Sequence, residues 1–154
     1  AFAKKVVDTF VESEFHDLDR VLMFQGMEGY DDVRPGYTKV AEWDAAGGEE
    51  GEGGDAGSEG ASFDDFEIET AEYGMDLEEE DLAVDDVAAE SAEITEAVLT
   101  GERDGPFADA VAVNAALRIY AREDADSIEA GLDAAREAID DGSAHEVLEA
   151  LREF

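Results

Sequence analysis

Two adjacent carboxylates, Asp31 and Asp32, are the residues of this sequence best suited to bind a ligand. They follow a short apolar run, Val21 to Phe24, which is interrupted by Gly26 and Gly29. A buried strand that ends in a glycine turn places the next residues at the carboxyl edge of a sheet, where open α/β proteins bind their ligands. Paired carboxylates suit Mg²⁺, which usually takes one or two protein carboxylates and completes its shell with phosphate and water. The pattern therefore indicates a divalent-cation site.

The alternative interpretation of this pair is a solvated acidic turn. Asp and Glu number 44 against ten Lys and Arg, so neighbouring carboxylates are expected in many loops of this chain. Arg34 also has two interpretations. It could meet a phosphate, or it could form a salt bridge with Asp31 or Asp32, and we favour the salt bridge.

The net charge of −34 limits both the folding conditions and the partners. A charge of this size marks disorder when the apolar content is low. Here 44% of the residues are hydrophobic, and they fall in periodic groups. We therefore expect a folded domain whose self-repulsion is screened by concentrated salt, as in halophilic proteins. The same charge argues against nucleic acid and anionic membranes as partners, because few cations are available to replace phosphate counterions.

Residue usage also narrows the chemistry and the compartment. The chain contains no cysteine, which excludes a disulfide framework, a thiol nucleophile and thiolate metal sites. No apolar run approaches transmembrane length, and the N-terminal residues lack the apolar core of a signal peptide. We expect a soluble, cytoplasmic protein. The first residue, Ala1, is not methionine, which indicates a fragment or a processed chain.

Hydrophobic periodicity predicts an α/β fold with a few strands in a mixed sheet, packed by amphipathic C-terminal helices. A first amphipathic helix is predicted over residues 2 to 14. Strands are predicted over Val21–Phe24, Tyr37–Trp43 and Phe63–Thr70. Residues 45–62, rich in Gly, Ala and acids, are predicted to be a flexible insertion in the hairpin of the last two strands. Residues 1–154 are interpreted as the C-terminal part of one catalytic domain that carries this insertion.

Four helices are predicted in the second half of the chain. The first ends before Gly101, a suitable C′ residue, and Pro106 suits the first turn of the second. This second helix, Phe107 to Tyr120, is apolar nearly all round and is expected to be the buried central helix. The third helix has a core stripe of Ile128, Leu132, Ala135 and Ile139. The fourth opens with a Ser143–Glu146 capping box and is expected to bury Val147, Leu148 and Leu151.

The remaining polar and aromatic candidates are interpreted as structural. Asn114, on the apolar side of the central helix, is expected to satisfy neighbouring backbone groups. His16 and His145 have no second ligand at metal spacing, so we predict surface positions for both. Trp43 and Phe66 are predicted to pack on the sheet. The glycine-rich tract contains no Lys or Arg, which argues against a phosphate-binding loop.

In the order of these elements the chain resembles the C-terminal part of the anthranilate phosphoribosyltransferase family, in a haloarchaeal form. In that family a strand ends in His-Gly-x-x-Gly-Leu-Asp-Glu, where this sequence reads Gln25-Gly26-Met27-Glu28-Gly29-Tyr30-Asp31-Asp32. The strand from Gly36 to Glu42 is similar to the family's next strand. The segment Thr70-Ala-Glu-Tyr-Gly-Met75 resembles the family's Thr-Pro-Glu-Asp-Phe-Gly-Leu. The resemblance covers nearly the whole chain apart from the glycine tract.

The resemblance implies a reaction and its ligands. In the family the Asp-Glu pair holds Mg²⁺ against the diphosphate of phosphoribosyl pyrophosphate, and by position this role passes to Asp31 and Asp32. The implied reaction transfers phosphoribose to a small aromatic amine in tryptophan biosynthesis. The family also implies a homodimer of the full-length protein and an upstream glycine-rich diphosphate loop. Without that loop the fragment alone is expected to be inactive, and no catalytic or amine-binding residue is assigned.

Three departures from the family motif keep two rival functions open. Gln25 replaces the usual His, Tyr30 replaces Leu, and Asp32 replaces Glu, which shortens the second ligand by one methylene. One rival is a divergent paralog that binds a nucleotide-like ligand without this reaction. The other is a non-catalytic module that assembles with a partner chain.

The charge pattern generates a first testable prediction, that folding depends on salt. The Debye length is about 3 Å in 1 M salt and about 10 Å in 0.1 M salt, so acidic faces begin to repel one another on dilution. Helical circular dichroism and the thermal midpoint should both fall between 1 M and 0.1 M KCl. An undiminished midpoint at 0.1 M would rule out the salt-screened interpretation.

Overall fold

The computed structural model describes residues 2–13, 18–26, 29, 32–46 and 61–154. In chain order these residues form α1 (Phe2–Val11), β1 (Arg20–Gln25), β2 (Tyr37–Asp44), β3 (Ser62–Glu69), α2 (Val87–Leu99), α3 (Pro106–Ala121), α4 (Ile128–Asp140) and α5 (Ser143–Arg152). Two short 3₁₀ helices, Thr70–Tyr73 and Glu79–Leu82, lie between β3 and α2. Of the helices in these ranges, none combines the length and the apolar character that crossing a bilayer would need.

The three strands form one antiparallel sheet in the order β1-β2-β3. The pairing runs from Arg20 opposite Asp44 to Gln25 opposite Lys39, and β2 pairs with β3 from Tyr37 opposite Glu69 onwards. The predicted α/β class is confirmed, but the described sheet is antiparallel throughout and not mixed. The end of β1 therefore lies beside the start of β2, and not at a carboxyl edge shared by parallel strands. Residues 47–60 of the predicted insertion lie outside the described residues.

One face of the sheet packs on the main core, and the other is covered in part. Leu22 and Phe24 on β1, Val40 on β2 and Ile68 on β3 share one face and belong to the main hydrophobic core with α3. On the opposite face Trp43 is buried, which confirms its predicted packing role. The ammonium group of Lys4 in α1 lies 5.3 Å from the centre of the Phe63 ring, the cross-strand neighbour of Trp43. Helix α1 therefore packs against the part of the second face around Trp43 and Phe63.

Helix α3 is the central helix, as its composition predicted. Its buried residues face both the sheet and α4, and they are Ala112, Val113, Ala116 and Leu117. The core stripe predicted for α4 is confirmed in Ile128, Leu132 and Ala135, with Ile139 packed at its edge. A Cβ atom at Gly131 would lie 2.7 Å from the carbonyl oxygen of Ala116, a distance that real Cβ contacts do not reach. Glycine is therefore needed where α4 approaches α3.

Two expectations for α5 are wrong. Val147 and Leu151 are 60% and 69% exposed, and the helix contains no fully buried residue. The predicted capping box is also absent, because Ser143 is already the first helical residue and Gly142 occupies the N-cap position. The carboxylate of Asp141 instead accepts the Ser143 N–H at 2.9 Å. The predictions for Gly101, with φ near +71°, and for Pro106 at the start of α3 are confirmed.

A largely buried ionic network joins the sheet to the C-terminal end of α3. The guanidinium of Arg20 lies 2.7 Å from an Asp44 oxygen and 3.0 Å from a Glu42 oxygen, and its side chain is only 12% exposed. It also donates to the Tyr120 carbonyl at 3.0 Å and stacks on the Tyr120 ring. The Tyr120 hydroxyl in turn donates to Glu42 at 2.7 Å. Because each buried charge has a partner, the network avoids the penalty of an isolated buried ion.

The same network shifts two pKa values. Burial would lower the pKa of Arg20, but the hydrogen bond to Asp44 and the surrounding negative groups leave it raised. Burial, followed by the hydrogen bond to Glu42, raises the pKa of Tyr120 to about 12. The neutral phenol is therefore the form that suits this junction between sheet and helix.

The raised pKa of Tyr120 predicts an alkaline loss of stability. An unfolded tyrosine loses its proton near pH 10, before the folded Tyr120 does, so the unfolded state is favoured as pH rises from 10 to about 12. We expect the free energy of unfolding to fall by roughly 1–2 kcal/mol across this window, after discounting for partial exposure. Denaturant unfolding in 1 M KCl should show this fall in the parent chain and a smaller one in Tyr120→Phe.

The matched control for this experiment is Tyr37→Phe, because Tyr37 lies on β2 and is 44% exposed. That variant should keep the alkaline slope of the parent. If Tyr120→Phe and Tyr37→Phe have the same slope as the parent, the phenol of Tyr120 contributes nothing to the pH dependence.

Candidate functional site

The glycines that follow β1 form a tight turn. The N–H of Gly29 donates to the carbonyl oxygen of Gly26 at 3.2 Å, and Gly29 has φ of +88°. This left-handed conformation is one that side-chain-bearing residues rarely adopt, so glycine is the residue that the position requires. A Cβ at Gly29 would also lie 3.6 Å from the side-chain nitrogen of Gln25, the last residue of β1. The turn therefore closes directly against the end of the strand.

Asp32 is the member of the predicted acidic pair that the structure describes, and Asp31 lies outside the described residues. The Asp32 side chain is 44% exposed, and one of its oxygens lies 3.4 Å from the Arg34 guanidinium. The salt bridge that we favoured for Arg34 is thus confirmed with Asp32. An ion pair this exposed contributes little to stability. The exposed part of the Asp32 side chain is accessible to a cation from solvent.

The residue between Asp32 and Arg34 is fixed by a side chain of α3. The side-chain amide oxygen of Asn114 accepts the N–H of Val33 at 2.9 Å, and its NH₂ group donates to the Val33 carbonyl at 3.0 Å. The same NH₂ group donates to the Ala110 carbonyl at 2.9 Å. Val33 is itself only 2% exposed and belongs to the core. The prediction that Asn114 satisfies neighbouring backbone is confirmed, and the backbone that it satisfies is the segment next to the acidic pair.

The described residues meet only part of the ligand requirement of a divalent-cation site. Within these ranges, no group of three or more His, Asp or Glu side chains has the spacing of a complete metal site. Mg²⁺ needs fewer protein ligands than that when a diphosphate supplies the remaining oxygens. Asp32 meets this lesser requirement, because its carboxylate is accessible and its backbone is anchored at the next residue. Whether Asp31 joins it stays a prediction.

A cleft of about 480 Å³ begins at the strand end that carries the glycine turn. Its lining includes Gln25 and Lys39, which are paired across β1 and β2, together with Met23, Ala41 and Glu67. A second cleft of about 460 Å³ lies beside Gly36 and Thr70, which hydrogen-bond to each other at the base of the hairpin. Asp32 does not line either of these two clefts.

The other candidates are structural or outside the described residues. His145 lies on the surface of α5, 3.9 Å from Glu149, as predicted. Phe66 packs against the core, also as predicted. His16 lies outside the described residues. The Arg20 network was not predicted, because a lone arginine before an apolar run carries no signal of its two acidic partners on the next strand.

Comparison with known proteins identifies relatives over nearly the whole chain. Residues 3–145 match the family described as glycosyl transferase family, a/b domain. The anthranilate phosphoribosyltransferase of Natronomonas pharaonis is 35% identical over 138 residues, which is 89% of this chain and 37% of the relative. The enzyme of the same name from Haloferax volcanii is 34% identical over 95 residues, or 62% of this chain and 29% of the relative.

Solved structures of anthranilate phosphoribosyltransferases also match this chain. Anthranilate phosphoribosyltransferase from Thermus thermophilus matches with a TM-score of 0.63 and 30% identity, over 85% of this chain and 34% of that one. The Saccharomyces cerevisiae enzyme, solved in complex with PRPP and Mg, matches with the same TM-score of 0.63 and 22% identity, over 83% and 33%. At that identity the yeast match shows the fold alone. The chain thus spans about a third of the length of these relatives.

Proposed function

This chain belongs to the glycosyl transferase family with the α/β domain, and from that premise we propose that it forms the metal-binding part of an anthranilate phosphoribosyltransferase. The whole reaction would transfer phosphoribose from phosphoribosyl pyrophosphate to anthranilate or a similar aromatic amine and release pyrophosphate. The names of the relatives support this choice.

The observation that carries the proposal is the anchored, accessible carboxylate of Asp32. It follows the Gly26–Gly29 turn, and its neighbour Val33 is held by Asn114. Asp31 and Asp32 would hold Mg²⁺, which supplies neutralisation of the charge that develops on the leaving diphosphate. The pair itself would orient the diphosphate relative to the sugar carbon by fixing where that charge is neutralised. This is an electrostatic role, and it requires no proton transfer from either aspartate.

Other parts of the site are assigned to no residue of this chain. The glycine-rich tract 45–62 contains no Lys or Arg, so it offers no positive group to a diphosphate. We propose that the diphosphate loop and the amine pocket come from polypeptide that corresponds to the remaining length of the relatives. A cytoplasmic location and a homodimer of the complete protein follow from the same premise and are equally proposals. The chain alone should bind phosphoribosyl pyrophosphate weakly and should not turn it over.

The second candidate is a divergent paralog that binds a nucleotide-like ligand without this reaction. Gln25, which replaces the family's His at the end of β1, favours it, because its amide lies against Gly29 and adds a neutral group at the turn. A neutral amide neither carries positive charge nor accepts a proton, so chemistry that needed a histidine there would be lost.

Paramagnetic NMR of the chain in 1 M KCl tests the metal site. Substoichiometric Mn²⁺ with inorganic pyrophosphate should first broaden the amides of Gly29 and residues 32–34. Asp31→Asn and Asp32→Asn should each weaken this binding at least about tenfold, or 1.4 kcal/mol, because an amide keeps the shape of the carboxylate and loses its charge. Asp133→Asn, on the exposed face of α4, is the matched control and should bind as the parent does.

Equal broadening over all acidic surfaces of the parent would show that the pair is only an acidic turn.

Activity itself is tested in a chimera in which residues 3–145 replace the matching segment of the Natronomonas pharaonis enzyme. The chimera should transfer phosphoribose to anthranilate in a Mg²⁺-dependent manner, and its Asp32→Asn variant should lose most of that rate. A chimera that binds Mn²⁺ and pyrophosphate but transfers nothing would favour the paralog.

A further inference from the structure

The hydrogen bonds between α3 and residues 32–34, here called the acidic segment, are more specific than is needed to give two buried backbone groups a partner. One side-chain amide engages both peptide groups of Val33, its N–H at 2.9 Å and its carbonyl at 3.0 Å. The third bond, to Ala110 one helical turn earlier, fixes the orientation of the amide on α3. A side chain with two donors and an acceptor in one plane is needed for this pattern, and among amino acids of this length asparagine alone provides it.

The position of the anchored residue matters for function. Val33 follows Asp32 directly, and its apolar side chain is buried in the same core as α3. The backbone at Val33 is therefore held from one side by packing and from the other by Asn114. A cation ligand attached to the preceding residue has its Cα position set by this anchor. Small displacements matter, because Mg²⁺ demands near-ideal octahedral geometry.

We propose that Asn114 is a positioning residue that acts through Val33 to hold Asp32 in the geometry that binds a divalent cation with a diphosphate. The inference rests on the metal-binding role proposed for the acidic pair. Asn114 itself touches neither the cation nor the diphosphate. Asn114 restricts the acidic segment before the cation binds. Less conformational entropy is then lost on binding, which is the general benefit of a preorganised site.

Substitutions at Asn114 should separate its two kinds of bond. Asn114→Ser keeps a small polar group but is too short to span both peptide groups of Val33. Asn114→Asp keeps the acceptor for the Val33 N–H and turns the donor that faced two carbonyl oxygens into an acceptor. In 1 M KCl, both variants should bind Mn²⁺ with pyrophosphate at least fivefold more weakly than the parent, with Asn114→Asp the weaker of the two.

A matched variant controls for general loss of stability. Val98 in α2 is fully buried but lies outside the core cluster that contains Val33. Val98→Ala should lower the thermal midpoint by an amount comparable with Asn114→Ser, and its affinity for Mn²⁺ and pyrophosphate should stay within twofold of the parent. If Val98→Ala weakens binding as much as Asn114→Ser does, or if Asn114→Ser binds as the parent does, Asn114 has no positioning role.

A measurement on the parent chain keeps the proposal testable even if the Asn114 variants fail to fold. Coupling between two sites is reciprocal, so a bond that favours binding must be favoured by it. Saturating Mg²⁺ with pyrophosphate should slow hydrogen exchange at the Val33 amide at least fivefold and leave the Gly131 amide in α4 unchanged. An unchanged Val33 rate overturns the proposal. If the parent binds no Mn²⁺ at residues 29 and 32–34, the proposed metal site itself is wrong. This result differs from a failure of the Asn114 proposal, because it is obtained without any change at Asn114.

Discussion

The pair of hydrogen bonds between Asn114 and Val33, together with the burial of the Val33 side chain, joins residues 32–34 to the body of the fold. Val33 is buried, so its N–H and carbonyl would each cost about 1–3 kcal/mol if left without partners. The antiparallel sheet supplies no partner, because the segment between β1 and β2 leaves the ladder after Gln25. A helix that crosses behind the sheet must provide both, and this constrains where α3 lies and how it is rotated.

The Arg20 network fixes the same helix near its C-terminal end. Tyr120 is six residues after Asn114 on α3, and its carbonyl and hydroxyl both bond to the strand pair β1–β2. The two links differ in their physics. The Asn114 link is neutral and insensitive to salt, whereas the Arg20 link is ionic but its arginine side chain is only 12% exposed, so solvent ions screen it weakly. Salt therefore acts on this fold mainly through the exposed carboxylates and not through the junction of sheet and helix.

Much of this arrangement was predictable from the sequence, and the exceptions have physical reasons. An almost wholly apolar composition identified α3 as a core helix, the core stripe identified α4, and Gly101 marked the end of α2, where it has a left-handed conformation. The predicted burial of α5 was wrong, because Val147 and Leu151 have the spacing of a buried face while no described element covers them. Strand direction is a matter of long-range pairing, so a mixed sheet was as consistent with the runs as the antiparallel one observed. That Asn114 would meet backbone was predictable, but which backbone depends on a contact 81 residues away in sequence.

A neutral clamp beside an acidic pair has an electrostatic consequence. The chain has ten Lys and Arg side chains for 44 Asp and Glu carboxylates. At the candidate site the Arg34 guanidinium lies 3.4 Å from an Asp32 oxygen. Had α3 anchored the segment through a lysine or arginine, that charge would have compensated the pair permanently and opposed a divalent cation at short range. Asparagine accepts the Val33 N–H, which neither cationic side chain can do, donates to two carbonyl oxygens and adds no charge. The negative charge at the candidate site then remains available to a bound cation, and the exposed Arg34–Asp32 ion pair is of a kind that contributes little to stability.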